Sequence, residues 1–407
     1  MHQAPQRLMV APSPMPSPDP GAHRMPPGQT GGPRRRRRGP HRRWRRALLV
    51  VVVLMVTVVA VATPSVVSAL TAPGTRSSTA RLAEWARNHG MSPVVNGLEQ
   101  LTYQPPKVGG PVAANSPLLH APHPPQVPLP GSLPSPLPAP ITPVAFPALP
   151  GEGQWQTVAT VHGQPAMAQT FLRPDATHTS YTAGAVTFDP HLVRAALHPG
   201  SSQPGGTGWA VGPTITQPTG LLSAFNSGFK LADARGGFYA NGRYAKPLAA
   251  GGASMVFHTD GTMTIGQWGR DVHMSPNVAA VRQNLTLLVD HRVVIPGNST
   301  HTQNTWGATI GNKNFVWRSG IGVTASGRII SVIGPRLSAH SLAVLLQHAG
   351  AVRAMQLDIN PEWTSYVLYH QPSDTHSGAS NLLPTMQRAA TRYNTVSGRD
   401  FVTTHTR

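Results

Sequence analysis

From Ala47 to Thr75 the chain carries no charged side chain. Just before this stretch the arginines crowd together, at Arg34 to Arg38 and again at Arg42, Arg43, Arg45 and Arg46. No other feature limits the possible folds so strongly. Ala47 to Ala62 is Val, Leu, Met and Ala with a single Thr, and roughly 20 apolar residues span a bilayer. Residues 47–70 therefore read as a single transmembrane helix. Under the positive-inside rule the arginine block stays in the cytoplasm, and everything after about residue 70 lies outside. A cleaved signal peptide is the alternative reading. The basic segment is far longer than a signal peptide carries, which favours an uncleaved anchor in the plasma membrane.

Residues 1–46 are rich in Pro, Gly and Arg, with few large apolar side chains. Such a segment buries too little surface to offset its ordering entropy and reads as a disordered cytoplasmic tail. It holds eleven arginines and one acid, Asp19, and so supplies +10 of the formal +19. That charge faces a membrane surface whose anionic lipids attract polybasic segments. The remaining basic residues are dispersed, with no aromatic-interleaved patch, so the composition argues against a nucleic-acid partner. The chain has no cysteine, and its nineteen histidines are scattered without metal-ligand spacing. The sequence therefore offers no metal-ligand residues and leaves any cofactor unknown.

Residues 71–105 read as a short helical segment. Ser78 or Thr79 would cap a first helix ended by Gly90, and Ser92-Pro93 opens a second. Trp85 and Tyr103 suit either the outer membrane interface or packing on the folded domain. Residues 106–150 form a proline-rich linker, expected to be an extended spacer reaching on the order of 100 Å. Residues 151–407 carry short β signals broken by turns. Trp155 to Val161 and Thr179 to Phe188 read as strands. Asp260-Gly261 and Ser326-Gly327 each join two strands in a hairpin. Helices are expected only at Ser338 to His348 and Leu382 to Tyr393. The fold class is α+β, a largely antiparallel sheet domain with few helices.

Four patterns in this domain bear on chemistry. Asn226-Ser227-Gly228-Phe229 suits a turn with positive φ at the asparagine. In Arg235-Gly236-Gly237-Phe238-Tyr239 the glycines let backbone approach backbone or a ligand. Arg318 sits inside an apolar strand signal and needs a partner, either an acid such as Asp358 or a ligand phosphate or carboxylate. Met355 to Trp363 reads as a strand that ends at Asp358, stopped by Pro361. There Asp358 either holds charge at the rim of the core or caps its own turn.

Taken in order, these motifs resemble the phosphodiester glycosidase family, over about residues 155–404. The family's Asn-Gly-Gly-Phe is matched at Asn226, Gly228 and Phe229. Its Arg-Thr-Ala-Ile-Gly is matched at Arg318, Ile321 and Gly322. Its Leu-Asp-Gly-Gly-Gly-Ser is matched only at Leu357 and Asp358, where Ile359-Asn360-Pro361-Glu362 replaces the glycine run. The resemblance implies cleavage of a sugar-1-phosphodiester in an envelope glycan or sugar-phosphate. Asp358 would stabilise the sugar cation or orient water, and Arg318 would hold the phosphate. Asn226 and Asn360 would bind sugar hydroxyls, with Gly228 and Gly237 matching the motif glycines of the substrate site. Glu362 is a possible second carboxylate. The replaced glycine run also permits a second reading, a non-catalytic glycan-binding or envelope-scaffold module that keeps the fold.

Overall fold

The computed structural model describes residues 41–71, 77–120, 137–297, 303–307, 309, 313–370 and 378–407. The expected disorder of residues 1–40 and the middle of the proline-rich stretch, 121–136, fall outside them. The chain forms two compact units that divide after Ala62. Helix α1 spans His41–Thr71, with Pro64 inside it. Its apolar side chains from Leu48 to Val53 are exposed. Side chains at 54, 55 and 58 are not among those described, and among the described residues no helix is long and apolar enough to cross a membrane.

Helices α2, Ser78–Asn88, and α3, Ser92–Thr102, occur where the sequence places them. The cap lies one residue earlier than expected, because Ser77 Oγ accepts from Ala80 N at 3.2 Å. Trp85 Nε1 donates to Ser65 Oγ at 2.9 Å. The Tyr103 ring lies under Lys313 Nζ at 4.4 Å, so it packs on the domain.

The described flanks of the proline-rich stretch correct the spacer expectation. They lie along the domain rather than reaching away from it. Gly109 N donates to Thr177 O at 2.7 Å, and Ile141 and Ala145 are buried. Arg173 donates to the carbonyls of Ala145 and Pro147 while pairing with Glu152 at 2.7 Å. An arginine fork that collects two loop carbonyls and a carboxylate ties the loop down more firmly than proline stiffness extends it.

Among the described residues the domain has three sheets, in which the named strands pair antiparallel. The first sheet runs β1 (Gln156–Val161), β2 (Gln164–Leu172), β3 (Ala183–Phe188), β14 (Ile329–Leu337), β13 (Val316–Thr324), β15 (Ala351–Gln356), β11 (Leu287–Asp290) and β12 (Val293–Val294). The second runs β7 (Arg243–Lys246), β6 (Phe238–Ala240), β10 (Val278–Gln283), β8 (Ala253–His258) and β9 (Met263–Gln267). The third runs β17 (Ala379–Asn381), β16 (Tyr366–Tyr369), β5 (Leu221–Asn226), β18 (Phe401–Thr406) and β4 (Val193–His198). Besides the short turn of helix α4, Gln303–Trp306, the domain has helix α5, Ala339–His348. A reciprocal cap between Ser338 and Ser341 starts α5.

Helix α5 buries Leu342, Ala343, Leu345 and Leu346 on the first sheet. This contact explains Gly320 in β13, since a Cβ there would sit 2.9 Å from Leu346 Cδ1. The expected helix from Leu382 to Tyr393 does not form. Leu382 N instead donates to Tyr366 O, Pro384 removes a helical donor, and only a 3₁₀ turn at Ala390–Tyr393 remains.

His198 closes β4 with both ring nitrogens used, against Gly212 O and Thr403 Oγ1, each at 2.9 Å. Burial pushes its pKa down to about 4 from 6.5. A depressed folded-state pKa stabilises above the unfolded value, and that stability is lost as pH falls through the folded one. Stability should therefore drop between pH 6.5 and pH 4 by about 3 kcal/mol more in the wild type than in His198→Gln. Urea unfolding of both proteins at the two pH values measures the difference, and equal drops would refute it.

Candidate active site

The ladder between β13 and β15 continues past the named strands. Leu357 N donates to Ser319 O at 2.7 Å, and Ser319 N donates to Asp358 O at 2.9 Å. This carries Asp358 to a strand end, as the sequence predicts. Its carboxylate then does two things. Oδ1 accepts from Ile359 N at 2.7 Å and Asn360 N at 2.9 Å, which is the turn-capping role. Oδ2 accepts from Arg399 Nη2 at 3.2 Å. The side chain is 5% exposed. Burial raises its pKa above the ordinary carboxylate value, against the opposing pull of Arg399 and the two backbone donors.

Arg318 is not the partner of Asp358. Its guanidinium donates to Gln356 Oε1 at 2.7 Å, Leu337 O at 2.9 Å and Asn314 O at 3.2 Å. All of these acceptors are neutral, and burial brings its pKa down to about 10. The pairing of β13 with β14 shifts register between Val316 and Arg318. Arg399 is the cation at Asp358. The same Nη2 donates to Gly228 O at 2.8 Å, so Arg399 joins the Asn226–Phe229 loop to the Asp358 turn. Its guanidinium lies 4.9 Å from the Trp363 ring centre, and Arg388 and Arg392 approach that ring at 5.4 and 5.5 Å.

Asp400 adds a second buried carboxylate. Its Oδ2 accepts from Arg282 Nε and from Ser227 Oγ, both at 2.5 Å, and Arg282 also donates to Phe229 O. Oδ1 has no partner within the described chain. The Asp400 charge raises the Asp358 pKa further, as a like charge does.

The other residues singled out from sequence surround this centre in different roles. Asn226 is the last residue of β5, in extended rather than positive-φ conformation. Its Nδ2 donates to Ser319 Oγ and its Oδ1 accepts from Ser365 N, each at 3.0 Å. Asn226 thus braces the floor of the Asp358 turn, with one of its two Nδ2 hydrogens engaged by Ser319 Oγ. Gly228 gives room to Arg282, whose Cζ would lie 3.2 Å from an added Cβ. Gly237 allows backbone to approach backbone, since a Cβ would meet Pro247 O at 2.2 Å. Asn360 Oδ1 accepts from Glu362 N at 2.9 Å, and Glu362 Oε2 is buried without a partner.

Arg399, Asp400 and Arg282 are absent from the sequence reading. The available signal was Gly398-Arg399-Asp400 directly before the apolar start of β18. Adjacent opposite charges entering a buried strand must each find a partner. Among the described residues, no three His, Asp or Glu side chains could hold a metal ion.

Residues 219–381 match the phosphodiester glycosidase family. This span holds Asn226, Gly228, Gly237, Arg318, Asp358, Asn360 and Glu362, and Arg399 and Asp400 lie beyond it. Among solved structures, the chain is similar to the catalytic domain of zebrafish N-acetylglucosamine-1-phosphodiester alpha-N-acetylglucosaminidase auto-inhibited by its pro-peptide. The identity is 14%, covering 62% of this chain and 88% of that one, with a TM-score of 0.41. It is also similar to a hypothetical protein from Synechocystis, at 15% identity, covering 63% of this chain and 65% of that one, with a TM-score of 0.35. No curated protein matches the chain.

Proposed function

We propose that this protein is a hydrolase of sugar-1-phosphodiesters in envelope glycans. In this reading α1 anchors it in the plasma membrane, with the arginine tail in the cytoplasm and the sheet domain outside. The observation that carries the catalytic part is the meeting of Asp358 and Arg399 where the family-matched segment folds against the C-terminal strand. Water adds to C1 of the sugar as the bond from C1 to the phosphate oxygen breaks, and the phosphate monoester departs. The transition state carries oxocarbenium character. Ionised Asp358 faces that positive charge, and Arg399 offers its guanidinium to the leaving phosphate. A phosphate ester is a weak base and needs little protonation to leave.

This assignment fixes the sign of the pH dependence. Asp358 acts as an anion, and its pKa is raised by burial. The kcat/KM for a synthetic sugar-1-phosphodiester should rise with pH through a value above the ordinary 3.8 of a carboxylate. A profile that falls over that range would overturn the assignment.

One observation favours the second reading, a glycan-binding module without turnover. Ile359, in place of a glycine, packs with Phe229, Ala234 and Leu285 beside the turn. That apolar plug closes space which a glycine would leave open. Binding of the diester without release of sugar is the result that would select this reading.

A further inference from the structure

A cavity of about 460 Å³ lies in the domain, lined by residues of β4 and β18 in the third sheet and of β8 and β10 in the second. Its size is within the range of ~300–1,000 Å³ usual for ligand sites. It shares no lining residue with the Asp358 centre. Its floor is made of small residues, Ala195, Ala196, Ala279 and Ala280 among them. Gln217, Asn241 and Thr259 line it as exposed residues, and His258 as a half-buried one. Two amides, an imidazole and a hydroxyl are thus open to solvent or a ligand.

The charge of the wall narrows the ligand class. Arg194 and Asp260 are its one permanent cation and one acid, and they balance. Asp260 is already held by Thr262 N at 2.8 Å and Thr262 Oγ1 at 2.7 Å. His198 and His405 line the cavity too, and burial pushes both pKa values down, so both rings are neutral near pH 7. A balanced wall gives no net attraction to an anion or a cation. Phe257 is the one Phe, Tyr or Trp of the lining, and it is buried, so it offers no face for stacking a nucleobase. Amide and hydroxyl groups around a small-residue floor suit a ligand rich in hydroxyls.

We infer that this cavity is a second binding site, which takes a neutral oligosaccharide independently of the Asp358 centre. Strand β18 connects the two places. Arg399 and Asp400 enter it at the catalytic end, while Thr403 and His405 face the cavity. At about 3.3 Å per residue the two sites are on the order of 15 Å apart along the strand. One glycan chain is long enough to occupy both.

The test is isothermal titration and saturation-transfer NMR on the full chain, with neutral linear gluco- and manno-tetraose and with inorganic phosphate as the anionic control. One or both tetrasaccharides should bind, and phosphate should not displace them. Gln217→Ala should weaken binding about fivefold, the worth of one neutral hydrogen bond. Ala196→Leu should fill the cavity and abolish binding. Asp358→Asn should leave binding unchanged, so loss of the catalytic reading and loss of this one are separable. Three results would each overturn the inference: failure of both tetrasaccharides to bind the wild type at millimolar concentration, displacement by phosphate, or wild-type affinity in both Gln217→Ala and Ala196→Leu.

Discussion

Replacing Arg282 by methionine should cost the folded state about 3–5 kcal/mol, the usual result of removing one partner from a buried ion pair. Arg282 is fully buried. Its loss leaves Asp400 with Ser227 as the remaining donor to its carboxylate and frees Phe229 O from a guanidinium contact. The double variant Arg282→Met with Asp400→Asn should recover part of the loss, because no uncompensated buried charge remains. Urea unfolding of the three proteins gives the coupling. A single-variant cost under about 1 kcal/mol, the range of an exposed pair, would mean that the pair is solvated and the network does not hold the Asn226–Phe229 loop.

The second large effect falls on activity. Asp358→Asn should reduce turnover of a sugar-1-phosphodiester by about 10²–10⁴-fold, the contribution typical of a positioned ionisable side chain. Stability should change little, for a reason the pKa supplies. Folding raises the Asp358 pKa, so ionised Asp358 costs stability once pH rises past its folded value. The amide carries no such cost, and its oxygen still accepts from Ile359 N and Asn360 N. Arg399 loses its carboxylate partner but keeps Gly228 O and the Trp363 ring, so the loss of this buried pair is largely offset. The melting temperature at neutral pH should therefore stay within a few degrees of wild type. A severe loss of stability together with unchanged activity per folded molecule would make Asp358 a structural cap alone.

These two expectations mark where sequence reasoning reached and where it stopped. Local signals are legible where a turn residue and an alternating pattern coincide. The Asp260-Gly261 and Ser326-Gly327 hairpins join β8 to β9 and β13 to β14. Asp358 was legible because Pro361 ends the strand that carries it. The partners of Arg318 are not legible, because an arginine in an apolar strand announces the need for partners but not their identity. Carbonyls from Leu337, Asn314 and Trp306 meet that need, and they become neighbours only when α4 and the end of β14 come together. Arg399 and Asp400 lie about forty residues past Asp358 in sequence. Strand pairing between β18 and β5 sets them beside the Asn226 loop, and no local pattern encodes that pairing. The motif glycines Gly228 and Gly237 make room for a guanidinium and a backbone, as Gly320, outside the matched motif positions, does for a helix.

The central claim is that this site breaks the bond between the sugar's C1 and the phosphate oxygen, and the most direct measurement is where water's oxygen goes. A synthetic sugar-1-phosphodiester should be hydrolysed by the full chain in ¹⁸O-labelled water and the products weighed by mass spectrometry. Cleavage at C1 puts the label on the anomeric hydroxyl of the released sugar and none in the phosphate monoester, and Asp358→Asn should lose both products. Label in the phosphate, or no release from a diester that demonstrably binds, would contradict the claim.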